Sequence, residues 1–78
     1  MKVRYVGEDT GVSGLSNGKI YEVIGIEYDL LKVIDNSGED YLYSSFAPGD
    51  CTGTATGIFK VVEDDEDKKL EKLGIQPD

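Results

Sequence analysis

Apolar and polar side chains alternate along five short segments of the chain, a spacing that places every second residue on the same face of an extended strand. The segments are residues 2–6, 19–28, 31–35, 39–43 and 58–62. They are rich in valine, isoleucine and tyrosine, which favour strands over helices. The pattern therefore predicts an all-β fold of five strands.

Glycine and asparagine mark the turns between these segments. Residues 36–38 (Asn-Ser-Gly) predict a tight hairpin, because Asn and Gly readily adopt the positive φ angles that it needs. Residues 7–18 hold four glycines and end in an Asn-Gly pair, which predicts a long loop, and residues 44–57 also predict irregular structure. Gly25 interrupts the longest segment and predicts a bulge or a sharp bend.

A small sheet has to bury one face and protect its edges, and closure into a barrel does both. We therefore expect the five strands to form a small antiparallel barrel over residues 1–63. Each large apolar side chain in its core would contribute about 1.5 to 3 kcal/mol. The residues expected in the core are Val3 or Tyr5, Tyr21, Val23, Val33, Leu42 and Val61.

Residues 64–78 differ in composition from the rest and are predicted to form an acidic C-terminal helix and tail. The predicted helix covers residues 64–73, because acids precede bases in the order that the helix dipole favours, and Gly74 follows as a stop. Two ion pairs with helical i, i+4 spacing are expected, Asp64 with Lys68 and Asp65 with Lys69.

The predicted helix is too short to be stable by itself, since isolated helices usually need about 12 to 15 residues. Leu70, Leu73 and Ile75 form a narrow apolar stripe along it. Two alternatives follow, a helix docked on the barrel through this stripe and a frayed, solvated tail. If the tail docks, its deletion is expected to lower the free energy of unfolding by about 1 to 2 kcal/mol.

The chain of 78 residues has 16 acidic and 8 basic residues, for a net charge of −8. Half of this excess lies in residues 63–78, where seven acids outnumber three bases. Binding to nucleic-acid phosphates depends on clustered Lys and Arg, so direct nucleic-acid binding is not expected.

The chain has no histidine and a single cysteine, Cys51. This composition excludes an intramolecular disulfide, a zinc site built from His and Cys, and catalysis that depends on histidine. We expect no cofactor, no metal and no enzymatic activity, the alternative being a chance pair of catalytic carboxylates. The lone thiol and the lack of a secretory or membrane-spanning segment predict a cytoplasmic protein that does not bind membranes.

Three segments resemble a known class of proteins: residues 18–24 (GKIYEVI), 34–43 (IDNSGEDYLY) and 58–63 (IFKVVE). They resemble small SH3-like barrel proteins of Gram-positive bacteria and their prophages. The resemblance implies a small five-stranded antiparallel SH3-like barrel with a short C-terminal helix, and it says little about activity. The chain departs from that pattern in the loop 47–57 and in the acidic tail.

SH3 domains bind proline-rich peptides in an aromatic groove that includes a tryptophan, which this chain lacks. By rough alignment, Leu30, Tyr43 and Phe46 fall near that groove and leave an apolar patch at the barrel end. Together with Pro48 they are the residues expected to bind a partner. Tyr43 and Phe46 could instead only cap the barrel. We expect a monomeric, non-enzymatic module that binds an unknown protein through this patch and the loop 47–57.

A second hypothesis comes from the net charge of −8. An acidic phage-type inhibitor can mimic nucleic acid and occupy a basic cleft of a host protein. Salt distinguishes the two, because a charge mimic loses affinity steeply with ionic strength whereas an apolar contact does not.

Overall fold

The computed structural model describes residues 1–10, 14–45 and 57–78. All of its strand pairings are antiparallel, which confirms the predicted all-β sheet with a short C-terminal helix. Within the described ranges no helix is long and apolar enough to cross a membrane. The elements are β1 (Lys2–Val6), β2 (Ile20–Glu27), β3 (Leu30–Ile34), β4 (Asp40–Ser44), β5 (Ile58–Glu63) and α1 (Lys69–Lys72).

Alternation along the strands separates a buried face from an exposed face. The core residues predicted on β2 and β3 are confirmed, and both candidates on β1 are buried. The rings of Tyr5 and Phe59 meet edge to face with 6.2 Å between their centroids. The buried core consists of Val3, Tyr5, Leu15, Tyr21, Val23, Leu31, Val33, Phe59, Leu70 and Ile75.

The prediction that Leu42 belongs to the core is wrong. Leu42 pairs with Lys32 across the β3–β4 ladder and is 43% exposed. Tyr43, the next residue along β4, is the one that packs against the core. Val61, also expected in the core, is only partly buried and lies against it.

β2 belongs to two halves of the sheet. Its first residues, up to Glu22, pair with β1, and its residues from Val23 to Glu27 pair with β3. The register shifts between Val23 and Gly25, which confirms the irregularity predicted at Gly25. A bulge lets the long strand bend, so that β2 can pair with β1 before the bend and with β3 after it.

The strand order is β4-β3-β2-β1-β5, so β4 and β5 are the edges of an open sheet in the part of the chain that the structure describes. The expected closure into a barrel is not what these residues form. The edge of β5 is protected by the C-terminal segment instead, which forms a parallel bridge between Pro77 and Val61. The Val61 N–H donates to the Gln76 carbonyl, and the Asp78 N–H donates to the Val61 carbonyl, both at 2.8 Å.

Of the two alternatives for the tail, the structure shows the docked one. Leu70 and Ile75 are 0% and 5% exposed within the core, and Leu73 packs partly buried against it. The helix is shorter than predicted, because α1 covers only Lys69–Lys72. Gly74 ends it with a φ of 91°, which confirms the predicted stop.

Asp64 explains why α1 begins late. Its carboxylate accepts hydrogen bonds from the N–H of Leu70 and from that of the following residue, both at 3.0 Å, so the intervening chain has to loop back. Lys68, immediately before α1, is left-handed with a φ of 53°. Burial by itself raises the pKa of the Asp64 carboxyl, but the backbone hydrogen bonds outweigh it and hold the pKa below its usual range.

Of the two predicted ion pairs, the structure forms Asp65 with Lys69, at 3.5 Å.

Candidate functional site

The sequence predicts a contact surface made by Leu30, Tyr43, Phe46, Pro48 and the loop 47–57. Phe46, Pro48 and the loop, apart from its last residue, lie outside the described residues and stay predictions. Leu30 and Tyr43 are described and are half-buried on β3 and β4. The structure therefore tests the placement of these two only.

Leu30 and Tyr43 lie on opposite faces of the β3–β4 pair. Residues that are directly opposed across a ladder share a face, and Leu30 is opposed by Ser44 whereas Tyr43 is opposed by Leu31. Leu31 is fully buried, so Tyr43 points to the core and Leu30 points outward. A single partner surface on the outward face includes Leu30 and not Tyr43.

Tyr43 is held in place by Asp35, which is 7% exposed. The Tyr43 hydroxyl donates to Asp35 Oδ2 at 2.6 Å, and Oδ1 accepts from the Ser37 N–H at 2.9 Å and from the Ser37 hydroxyl. Burial by itself raises the pKa of Asp35, but these hydrogen bonds outweigh it and the pKa lies below its usual range. Burial and the Asp35 carboxylate together raise the pKa of the Tyr43 hydroxyl. The pair is therefore a structural contact between a carboxylate and a neutral phenol.

Asn36, in the predicted turn between β3 and β4, joins this turn to the loop that precedes β2. Its side-chain N–H donates to the Ser16 hydroxyl, and its side-chain carbonyl accepts from the Tyr21 hydroxyl and from Lys19 Nζ, each at 2.9 Å. The Tyr21 hydroxyl also accepts the Ser16 N–H at 2.6 Å. No buried side-chain polar atom lacks a partner among the residues the structure describes. This network stabilises the loop that precedes β2, and its polar groups form their hydrogen bonds with one another.

The connection between β2 and β3 exposes an aromatic side chain almost completely. Tyr28 is 94% exposed and forms, with Asp29, the whole turn between the paired residues Glu27 and Leu30. Both turn residues have positive φ, 52° for Tyr28 and 63° for Asp29, as a type I′ turn requires. Asn-Gly is the preferred pair there, because other side chains are strained at positive φ.

The end of β4 lies at the same place as this turn. β4 ends at Ser44, which is opposite Leu30, so the end of this strand lies next to the β2–β3 turn. We call Tyr28, Leu30 and Leu42, with the acidic residues Glu27 and Asp29 at their border, the hairpin-end surface. Sequence reasoning missed Tyr28 because it placed the turn one residue later, at Asp29 and Leu30.

The carboxylates of Asp35 and Asp64 serve structural contacts. Within residues 1–10, 14–45 and 57–78, no group of three or more His, Cys, Asp or Glu side chains is placed to hold a metal ion. A carboxyl that acts as a general acid near neutral pH needs a raised pKa. The pKa values of Asp35 and Asp64 are instead lowered, and both carboxylates are occupied by structural hydrogen bonds.

Comparisons with known proteins give no relative. No family model, no curated protein and no solved structure matches the chain. The resemblance to SH3-like barrel proteins accordingly stays a prediction.

Proposed function

We propose that the chain is a non-enzymatic protein-interaction module that contacts its partner through the hairpin-end surface and, as the sequence predicts, through the loop 47–57. The observation that carries this proposal is Tyr28, an aromatic residue that is 94% exposed at the tip of a turn. Tyrosine is enriched among the residues that dominate binding energy, because its ring buries a large apolar area and its hydroxyl finds a polar partner.

The turn also prepares Tyr28 for binding. Glu27 and Leu30 are paired on either side of it, so the two turn residues have little freedom of their own. Binding through a residue that is already held in place loses less conformational entropy than binding through a flexible loop. Leu30 and Leu42 extend the apolar area along the outward face, where Leu42 is 43% exposed.

The strain in this turn gives a prediction about stability. Changing Tyr28→Asn together with Asp29→Gly should raise the free energy of unfolding by about 1 to 2 kcal/mol, because left-handed backbone costs ordinary residues about that much. Urea unfolding followed by circular dichroism measures the change. The matched control is Tyr41→Asn, since Tyr41 is a half-exposed tyrosine within β4 and its replacement should lower stability. An unchanged or lower midpoint for the turn variant would show that the turn is not strained.

We also propose that the sheet has the strand connectivity of SH3-like proteins, although its described strands form an open sheet and not a closed barrel. In support, β2 bends at Gly25 and is shared by the two halves of the sheet. Tyr43 stabilises the β3–β4 hairpin on its buried face, where the tyrosine hydroxyl donates a hydrogen bond of 2.6 Å to Asp35 Oδ2. Phe46 and Pro48, which follow β4 in the sequence, are proposed as further contacts.

The second candidate function, an acidic inhibitor that mimics nucleic acid, is favoured by the net charge of −8. Part of the negative charge of residues 63–78 is paired with bases of β1. Arg4 Nε lies 3.1 Å from the Asp78 carboxylate, and Lys2 Nζ lies 3.8 Å from that of Glu63. The net charge of −8 already includes these bases. We rank the apolar contact first because Tyr28 is 94% exposed at the tip of its turn.

Site-specific photo-crosslinking in the cells that make the protein tests the proposed function. A photoreactive residue at Leu42 should crosslink to one discrete protein, and the same group at Ile20, which is 43% exposed on the outward side of β2, should not. Adding Tyr28→Asn should abolish the Leu42 crosslink without unfolding the chain, since Asn suits the turn. Equal crosslinking from both positions, or none from Leu42, would contradict the proposal. When the crosslinking is repeated in a lysate of these cells, loss of the crosslink at high salt would favour the charge mimic.

A further inference from the structure

A groove lies along the docked tail and includes Val61 of β5, the edge strand opposite to β4 in the strand order. Its volume is about 410 Å³, within the range of roughly 300 to 1,000 Å³ that is usual for ligand sites. Its apolar lining consists of Val61, Ile75 and Pro77. Its charged lining consists of Asp64, Asp65, Glu66, Glu71 and the single cation Lys68.

The carboxylates of this groove are only partly compensated. Asp64 accepts backbone hydrogen bonds at the start of α1, and Asp65 lies 3.5 Å from Lys69. Glu66 and Glu71 form no ion pair with any residue that the structure describes. The groove therefore combines an apolar surface with an excess of negative charge.

We propose that this groove binds an arginine or lysine side chain presented by a protein partner. Such a side chain has an apolar stem, which packs on Val61, Ile75 and Pro77, and a cationic head, which meets the carboxylates of Glu66 and Glu71. Charge complementarity selects a cation, and the apolar lining selects a cation with a hydrocarbon stem over a bare metal ion. The site is separate from the hairpin-end surface and does not depend on it.

Amide chemical shifts of the full chain, titrated with small probes, test the proposal directly. The probe is n-butylguanidinium, with n-butylurea as its neutral analogue and guanidinium as the head without the stem. We expect saturable shifts at Glu66, Glu71 and Ile75 with the first probe, and affinities at least about ten-fold weaker with the other two.

Two variants with opposite expected signs separate binding from a general effect on folding. Glu71→Gln should weaken binding of n-butylguanidinium about five-fold, and Lys68→Gln, which removes the cation of the groove, should strengthen it by a similar factor. The matched control is Glu22→Gln, an exposed carboxylate on β2 outside the groove, which should change nothing.

The proposal is overturned if n-butylurea binds as well as n-butylguanidinium, or if no probe shifts the groove resonances saturably. Equal binding of guanidinium or Mg²⁺ would show a site for simple ions instead. Shifts in the groove that depend on protein concentration without any probe would show a second copy of the chain as its occupant. The Leu42 crosslink does not involve these residues, so it tests the hairpin-end surface independently of this groove.

Discussion

Replacing Leu70 by alanine is expected to lower the free energy of unfolding by about 2 to 5 kcal/mol, the range for truncation of a fully buried leucine. Leu70 is 0% exposed although α1 has only four residues. Small domains usually have total stabilities near the lower end of about 5 to 15 kcal/mol. The variant should therefore be close to unfolding at room temperature, which urea titration followed by circular dichroism measures.

Leu73→Ala is the matched control, because Leu73 is in the same segment and only partly buried. It should cost less than half as much as Leu70→Ala. Deleting residues 64–78 should cost more than either, and more than the 1 to 2 kcal/mol expected from sequence, since it also uncovers the edge of β5. If Leu70→Ala and Leu73→Ala had the same unfolding midpoint, the tail would not be docked through Leu70.

Much of the sheet is predictable from the sequence because its signals are local. Tyr21 and Val23 alternate with exposed residues on β2, and this period of two identifies their buried face directly. The turn glycine Gly38 has a φ of 83°, the conformation for which glycine is suited. Gly25 marks the bulge for a similarly local reason, because a residue without a side chain is easily accommodated in a bent strand.

The sequence of β4 does not determine which of its two faces is buried. Tyr41, Leu42 and Tyr43 are apolar in a row, so alternation allows two opposite assignments of the buried face. Pairing of Tyr43 with the buried Leu31 decides between them, and this pairing depends on the β3–β4 register. The error at Leu42 is a consequence of this ambiguity.

Burial outside the strands depends on contacts between distant parts of the chain. Leu15 lies in a loop whose sequence is mostly polar, and Ile75 lies in an acidic tail, yet both belong to the core. The carboxylate of Asp64 shortens the predicted helix by binding amides six and seven residues further on, which a propensity argument does not anticipate. Tyr28 at the candidate site has positive φ because the β2–β3 register requires it, although tyrosine itself does not favour that conformation.

Replacing Asp35 by alanine is expected to lower the free energy of unfolding at pH 7 by about 2 to 4 kcal/mol, because a buried acceptor is lost and its donors are left unpaired. Those donors are the Tyr43 hydroxyl, at 2.6 Å, and the N–H and hydroxyl of Ser37. Tyr43→Phe removes one of these bonds and should cost about 1 to 1.5 kcal/mol.

The loss in free energy of unfolding caused by Asp35→Ala should also depend on pH and should become smaller as the pH falls. Hydrogen bonds hold the pKa of Asp35 in the folded state below its unfolded value, which is about 3.9. The contribution of its carboxylate is therefore complete above that value and is lost as the pH falls through the lower, folded pKa. Asp64, whose pKa is lowered as well, is present in both proteins and cancels in their difference.

Urea unfolding of the two proteins at a series of pH values measures this dependence. The gap between them should be widest near pH 7 and should narrow from about pH 5 to pH 2. The control is Glu22→Gln, which removes an exposed carboxylate that has no ion pair within the described residues. Its free energy of unfolding should change with pH in the same way as that of the unaltered protein. A gap that stayed constant over the whole range would mean that the ionised carboxylate of Asp35 contributes no more to stability than its protonated form.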